Sequence, residues 1–466
     1  MEKGNIFDDK IKVSVGITIL IKKAKYENNC KKIFYYDIGN YLTSEEKKKI
    51  VEKFQHIYNV PWREIVPDHN HTWLTEGLQD EFDTFLQISK SQHQKDLSET
   101  IFEISIPAVN SGKDYWVYDS DKIHLENKLS IFIECYNLQV LKFHNLKEKS
   151  INLDDFVIYD DKKISWSATL KEHLLRKELI AYSENQIKIS FYRPFYKQFI
   201  FFNKIIIDRP SHFPKIFPTP ESEKENRVIC ITAIGCSKPF HTLLTNIIPD
   251  MHLCGDTQCF PFYIYNEDGT NRRENISDWA LDLFRSHYQD ETITKWDIFY
   301  YIYAVLHKKE YREKYAQNLR RSLPRVPFYE DFWKYAQAGR QLGELHIAYE
   351  QADEYPLEKI ETPGKPLDYR VEKMYLSKDR RSIKYNEFLT LAGIPPETFE
   401  YRLGNRSALE WIIDQFRVKV DKRSGIVNDP NPSPDSVFGP DPEYIIRLIG
   451  KIITVSLKTI EIVNKL

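Results

Sequence analysis

The chain has 466 residues, more than one typical domain, and its 66 basic and 68 acidic residues leave a formal charge of -2. That balance excludes a protein that coats nucleic acid through bulk charge, so any contact with a polyanion must come from a local patch. Six scattered cysteines do not make a disulfide framework, and no stretch reads as a signal peptide or approaches the roughly 18 apolar residues of a membrane span, so the sequence points to a reducing cytoplasm.

Two strands are expected first, Ile11 to Lys22 and Lys32 to Ile38, joined by a polar turn. Their apolar faces need a sheet that the visible chain does not supply, so they read as the last part of a larger α/β domain. Thr43 or Ser44 should cap a helix running to about His56, with Glu45 and Glu46 in the first turn, where the helix dipole favours them. Residues 1–60 form this first portion, and the mixed aromatic text of 61–99 reads as an adaptor leading away from it.

Residues 100–265 are rich in strand candidates: IFEISIPAV, YWVY, SIFIECY, FVIYD, KISFYRPF, QFIFFN, IIID and RVICITAIG. Helical text such as Ser167 to Arg176 is a minority, so an α/β or α+β domain on a mixed sheet is expected. A polar linker with the turn signal Asp268-Gly269 follows. The region 276–352 reads as helical, with helices at Ser277 to Arg285, within Trp296 to Phe328, and at Phe332 to about Glu350. Within 368–466 strands return at VEKMYL, SIKYN and FEYRL, before a helix at Ala408 to Phe416 and a last one from about Pro442 to Val463.

The stretch Trp296 to Phe328 changes character half-way. Its first part is aromatic and apolar; its second carries Lys308, Lys309, Arg312, Lys314, Arg320, Arg321 and Arg325 against Glu310 and Glu313, and stops at Pro324 and Pro327. One reading is a core helix followed by a solvated basic helix. The other is a face that tracks a phosphate backbone, with Arg312, Arg320, Arg321 and Arg325 as the contacts. Two glycine-containing basic loops, SGKDYW and DKRSGIVNDPN, offer Lys113, Arg423 and Asn428 as candidates for reading bases, or are ordinary solvated turns. Arg193 is either a contact or, as its strand setting favours, a buried ion-pair partner.

Catalytic signatures are missing from the sequence: no phosphate-binding G-x-x-x-x-G-K-[ST] loop, no strand-linked G-x-G-x-x-G, no H-E-x-x-H and no G-x-S-x-G. His69 and His71 flank Asn70 in a polar loop and are expected to be ordinary loop residues rather than a nuclease fragment. The cluster Cys230, Cys236, His241, His252, Cys254 and Cys259 has ligand chemistry for zinc but lacks the short cysteine pairs of a zinc ribbon, and no metal is expected.

Several separated stretches, in order, resemble the C-terminal part of single-polypeptide Type ISP restriction-modification enzymes. They include NIFDDKIKVSVGITILIKK, DYWVY, FYRPFYKQFIFF, KPFHTLLTNIIPDMHLCGDTQCFPFYIY, the Trp296 to Phe328 stretch, SALEWIIDQFRVKVDKRSGIVNDPN and ITVSLKTIEIV. The resemblance implies the closing strands of an adenine-N6 methyltransferase in residues 1–60, followed by a target-recognition domain: a mixed-sheet domain, a helical region and a small α+β C-terminal part. It further implies a role in reading double-stranded DNA beside methyltransferase, helicase-type ATPase and nuclease portions, for which S-adenosylmethionine, ATP and Mg are expected. No cofactor is expected in this chain, which lacks the [ND]-P-P-[YF]-type segment that holds a flipped adenine, and it is not expected to be catalytic alone. The competing expectation is a docking module for a methyltransferase or motor partner that reads no DNA itself.

Overall fold

Thr43 starts the first helix as its sequence predicts: its hydroxyl accepts from the Glu46 amide at 3.3 Å and the Glu46 carboxylate accepts from the Thr43 amide at 2.7 Å, a reciprocal cap for Ser44–Phe54. The computed structural model describes residues 7, 16–19, 32–39, 42–67, 71–90, 99–146 and 151–466. Two units are present, Met1–Leu78 and Gln79–Leu466. In the first, Ile33–Tyr35 pairs antiparallel with Arg63–Ile65, and the capped helix lies between them in sequence. Most of the strand expected at Ile11 to Lys22 lies outside the described residues, and the part that is described, 16–19, is in no strand; His69 also lies outside.

Among the described residues of the second unit are three four-stranded sheets, and the architecture is α+β as expected. One orders Ile106–Pro107, Thr257–Pro261, Val228–Thr232 and Thr242–Thr245, all antiparallel. Another is mixed: Ile187–Arg193 and Tyr196–Phe201 form a hairpin, Tyr118–Asp119 adds antiparallel to the second strand, and Ile248–Pro249 adds parallel to the first. The third, Glu358–Glu361, Leu389–Ala392, Ser382–Lys384 and Tyr375–Leu376, belongs to the C-terminal portion.

The structure corrects several strand expectations. SIFIECY is the middle of a long helix, Lys122–His144, capped by Asp121. Its buried residues Leu125, Leu129, Phe132, Tyr136 and Val140 recur at three and four, so a window wider than seven residues carries the helical period that a short β-branched and aromatic run hides. YWVY is split between a single helical turn, Asp114–Val117, and the strand Tyr118–Asp119. FVIYD begins on the last residue of the short helix Leu153–Phe156 and forms no strand, and IIID lies in turns and bends.

Helix positions were more legible. Ser167 and Ser277 cap Ala168–Leu175 and Asp278–Tyr288, and the later helices span Phe332–Ile347, Ala408–Gln415 and Tyr444–Val463. The aromatic half of the Trp296 to Phe328 stretch belongs to Lys295–His307, whose residues from Ile298 to His307 are all buried. This helix packs against Phe332–Ile347 so closely that a Cβ on Gly339 would lie 1.8 Å from the Tyr300 carbonyl oxygen. Burial of each large apolar side chain contributes roughly 1.5–3 kcal/mol, which makes this helix core rather than interface. Among the described residues no helix is long and apolar enough to cross a membrane.

Candidate nucleic-acid interface

The Lys419–Val420 and Val427–Asn428 strands form a short hairpin directly after the helix Ala408–Gln415. Its tip is closed by Asp421, whose carboxylate accepts from the Ser424 amide at 2.8 Å and whose carbonyl accepts from Gly425, a residue at φ +75°. This closure leaves Lys422 and Arg423 exposed at the turn, with no hydrogen bond or ion pair of the Arg423 side chain among the described residues. The base of the hairpin is anchored on the mixed sheet. The Asn428 side-chain oxygen accepts from Gln198 at 3.2 Å, and the Ser120 hydroxyl donates to the Asp429 carbonyl at 2.7 Å. Asn428 is therefore engaged by the sheet, while Arg423 is exposed in the turn at the other end of the hairpin.

Lys113 has a different setting. Its ammonium is fully buried, ion-paired to Asp208, and donates to the Ser167 hydroxyl at 2.8 Å and the Ile206 carbonyl at 3.2 Å. Burial pulls its pKa down while Asp208 holds it up. The neighbouring glycine is explained by the same pair: Gly112 sits at φ +65°, and a Cβ there would lie 2.0 Å from an Asp208 carboxylate oxygen. The loop approaches Asp208 rather than presenting Lys113 outward, a correction that follows from the desolvation cost of an unpaired ammonium. Arg193, on Ile187–Arg193, stacks over Tyr192 at 3.9 Å and reaches Asp250 at 2.6 Å and Asp114 at 3.8 Å. Burial pushes the Asp250 carboxyl up, against the pull of Arg193.

The basic half of the Trp296 to Phe328 stretch is broken into two short helices, Lys309–Lys314 and Ala316–Arg321, and its cations do not share one face. Arg312 turns inward: its Nε donates to the Leu306 carbonyl at 2.5 Å, its guanidinium lies 5.9 Å from the Phe240 ring, and burial pulls its pKa down to about 10. Lys314 pairs with Glu81, and Lys308 lies over the rings of Tyr329 and Tyr335. Arg325 donates to the carbonyls of Asp83 and Phe85 at 3.2 and 3.3 Å and lies 3.4 Å from the Asp83 carboxylate. Arg320 and Arg321 are exposed, and the Arg320 guanidinium has no ion pair among the described residues. Of the four arginines expected along this stretch, only these two face solvent as a phosphate contact must.

A second group of cations is brought together by the fold. Lys373, Arg406 and Arg417 line a recess of about 270 Å³ with Glu410 and Asp414, and Lys419 stands beside them. The signal was present in the text, since Arg417 and Lys419 immediately precede the DKRSG loop, but Lys373 and Arg406 join them only through the fold. Within the cysteine and histidine cluster, Cys230 and Cys259 face each other across paired strands with sulfurs 3.7 Å apart, both buried. Among the described residues, no group of three or more His, Cys, Asp and Glu side chains is placed to hold a metal ion.

Comparison with known families settles the lineage. A model of the Type ISP C-terminal specificity domain matches residues 100–448. The chain belongs to this family. Three solved structures are similar to the chain over 99% of its length: a nuclease-deletion mutant of the Type ISP restriction-modification enzyme LlaGI in complex with a DNA substrate mimic (33% identity, TM-score 0.84), the ATP-dependent Type ISP restriction-modification enzyme LlaBIII bound to DNA (29%, 0.84), and the DrdV-DNA complex (31%, 0.83). The chain spans 41%, 29% and 45% of those three chains respectively. No curated protein sequence matches it.

Proposed function

We propose that the chain recognises a short sequence in double-stranded DNA as the specificity portion of a Type ISP restriction-modification system. The observation that carries this reading is the specificity-domain match over residues 100–448, joined to similarity along 99% of the chain with enzymes whose structures contain DNA. Phosphate contacts fix the register of such a protein, and a few side chains read base edges. Exposed Arg320 and Arg321 suit the first task, and Arg423 at the hairpin tip suits the second, because a guanidinium can bond two acceptors of one guanine.

The chemistry belongs to other portions of the system. Adenine-N6 methyl transfer, ATP-driven motion and DNA cleavage would use S-adenosylmethionine, ATP and Mg held by the methyltransferase, helicase-type ATPase and nuclease, and the chain alone would be inactive. The lack of an [ND]-P-P-[YF]-type segment in its sequence supports this division. Such a system acts on DNA in the cytoplasm.

Affinity for random and enriched duplexes at several salt concentrations tests the reading. The logarithm of the binding constant should fall linearly with the logarithm of salt, by about 0.9 per phosphate contacted, and selection from a random library should enrich one short motif. Salt-independent or undetectable binding by the folded chain would overturn it.

A further inference from the structure

The charged groups that act on the Lys419 ammonium belong to three parts of the fold. Asp414 lies at the end of the helix Ala408–Gln415 and Arg417 just beyond it, Arg406 is on the small strand Arg406–Ser407, and Arg193 is on the mixed sheet. Asp414 is the one carboxylate among them, and it already serves two guanidiniums, Arg406 at 2.8 Å and Arg417 at 3.5 Å. Arg193 is occupied by Asp250 and Asp114. Glu410, the other acid lining the adjoining recess, is taken by Arg380. Lys419 itself is half-buried and has no hydrogen bond or ion pair to any described residue. A partly desolvated ammonium two residues from Arg417, in the field of three guanidiniums and with one shared carboxylate for relief, is a position whose energy an external anion lowers.

We propose that one phosphodiester of the DNA backbone sits against the Lys419 amine, flanked by Arg406 and Arg417. The inference rests on the DNA-recognition reading and deepens it by naming a backbone contact. Lysine fits a phosphate as a point charge, whereas base reading favours a planar fork. The location fits as well. Lys419 pairs across the ladder with Asn428 at the anchored base of the hairpin, and the tip with Lys422 and Arg423 extends beyond it. A phosphate held at the base would fix the register from which the tip reaches base edges. Lys373, lining the recess with Arg406 and Arg417, continues the positive surface to one side.

Proton linkage gives the contact a signature that a merely structural lysine lacks. Burial, then the charge of Arg417, pulls the free amine down to about 8, with Asp414 opposing. A bound phosphate restores the charged form, so DNA binding takes up a proton once the pH exceeds that value. Affinity should therefore weaken as the pH rises from neutral into the alkaline range, by at most about tenfold per unit.

The test measures binding of the full chain to a random-sequence duplex across salt and pH for wild type, Lys419→Met and Lys419→Arg, with melting temperatures confirming that each is folded. Lys419→Met should bind more weakly on every sequence, lose about one unit of salt slope, and lose the alkaline decline. Lys419→Arg should keep the slope and also lose the decline, because guanidinium does not titrate in this range. If wild type binds with normal salt dependence while Lys419→Met is indistinguishable from it, the phosphate contact is wrong and the DNA reading stands. If folded wild type does not bind duplex at all, both fall.

Discussion

Gly339 and Tyr300 meet backbone to backbone: the ideal Cβ position on the glycine lies 1.8 Å from the tyrosine carbonyl oxygen and 2.6 Å from its carbonyl carbon. The approach lets Phe332–Ile347 lie directly on Lys295–His307, the helix buried from Ile298 to His307. In an exposed helix Gly→Ala would stabilise by about 1 kcal/mol. Here the added methyl would face main chain, which cannot swing aside as a side chain can, so the helices must separate. Gly339→Ala should destabilise by about 2–4 kcal/mol, seen as a lower urea midpoint. A variant as stable as wild type would show that the two helices are not this close.

Lys113 and Asp208 form the second relationship with a measurable consequence. Asp208→Asn leaves the buried ammonium without its counter-charge and should cost about 3 kcal/mol, reduced somewhat because Asp208 is partly exposed. Joining Lys113→Met to it should recover much of that loss, since the double variant has no charge to compensate. Urea denaturation of the two singles and the double measures the coupling. Lys113→Met that leaves stability intact but removes discrimination at one base pair would return Lys113 to the role its loop suggested in sequence.

Buried histidines predict acid sensitivity. Burial, assisted by the charge of Arg312, holds His241 and His346 down at about 3, and His307 is also pulled well below its ordinary range. In the unfolded chain each takes a proton near pH 6.5, so below that value the unfolded state binds more protons and stability falls with pH. Each group contributes a slope of about 1.4 kcal/mol per unit between roughly 6 and 4. Unfolding free energies at neutral and mildly acidic pH should show this decline, and His346→Gln should reduce the slope by about one such increment. An unchanged slope would mean that His346 is protonated in the native state.

Arg320 and Arg325 lie five residues apart in sequence, yet they should behave differently. Arg320 is exposed, whereas Arg325 is bonded to the segment around Asp83. Arg320→Gln should reduce the salt slope of duplex binding by about one unit and leave stability within about 0.5 kcal/mol. Arg325→Gln should cost about 1 kcal/mol of stability and leave the slope alone. Equal slopes for Arg320→Gln and wild type would remove the short helices after His307 from the DNA-facing surface.

The sequence by itself determined the family, the α+β class and most helix starts, because these depend on local chemistry. A Thr, Ser or Asp ahead of a helical run satisfies orphan amides wherever the helix later packs, as Thr43, Ser167 and Ser277 do. It misread Lys122–His144 where β-branched and aromatic residues cluster, since a short run of that kind suits a strand as well as a buried helix. What a cation does was decided only by tertiary structure. Lys113, Arg312 and Arg325 are indistinguishable in text from Arg320 and Lys419, but the free energy of a charge depends on the carboxylates, carbonyls and water within a few ångströms, and those neighbours come from distant parts of the chain. Asp208 lies 95 residues from Lys113, and the carbonyls that hold Arg325 lie some 240 residues away.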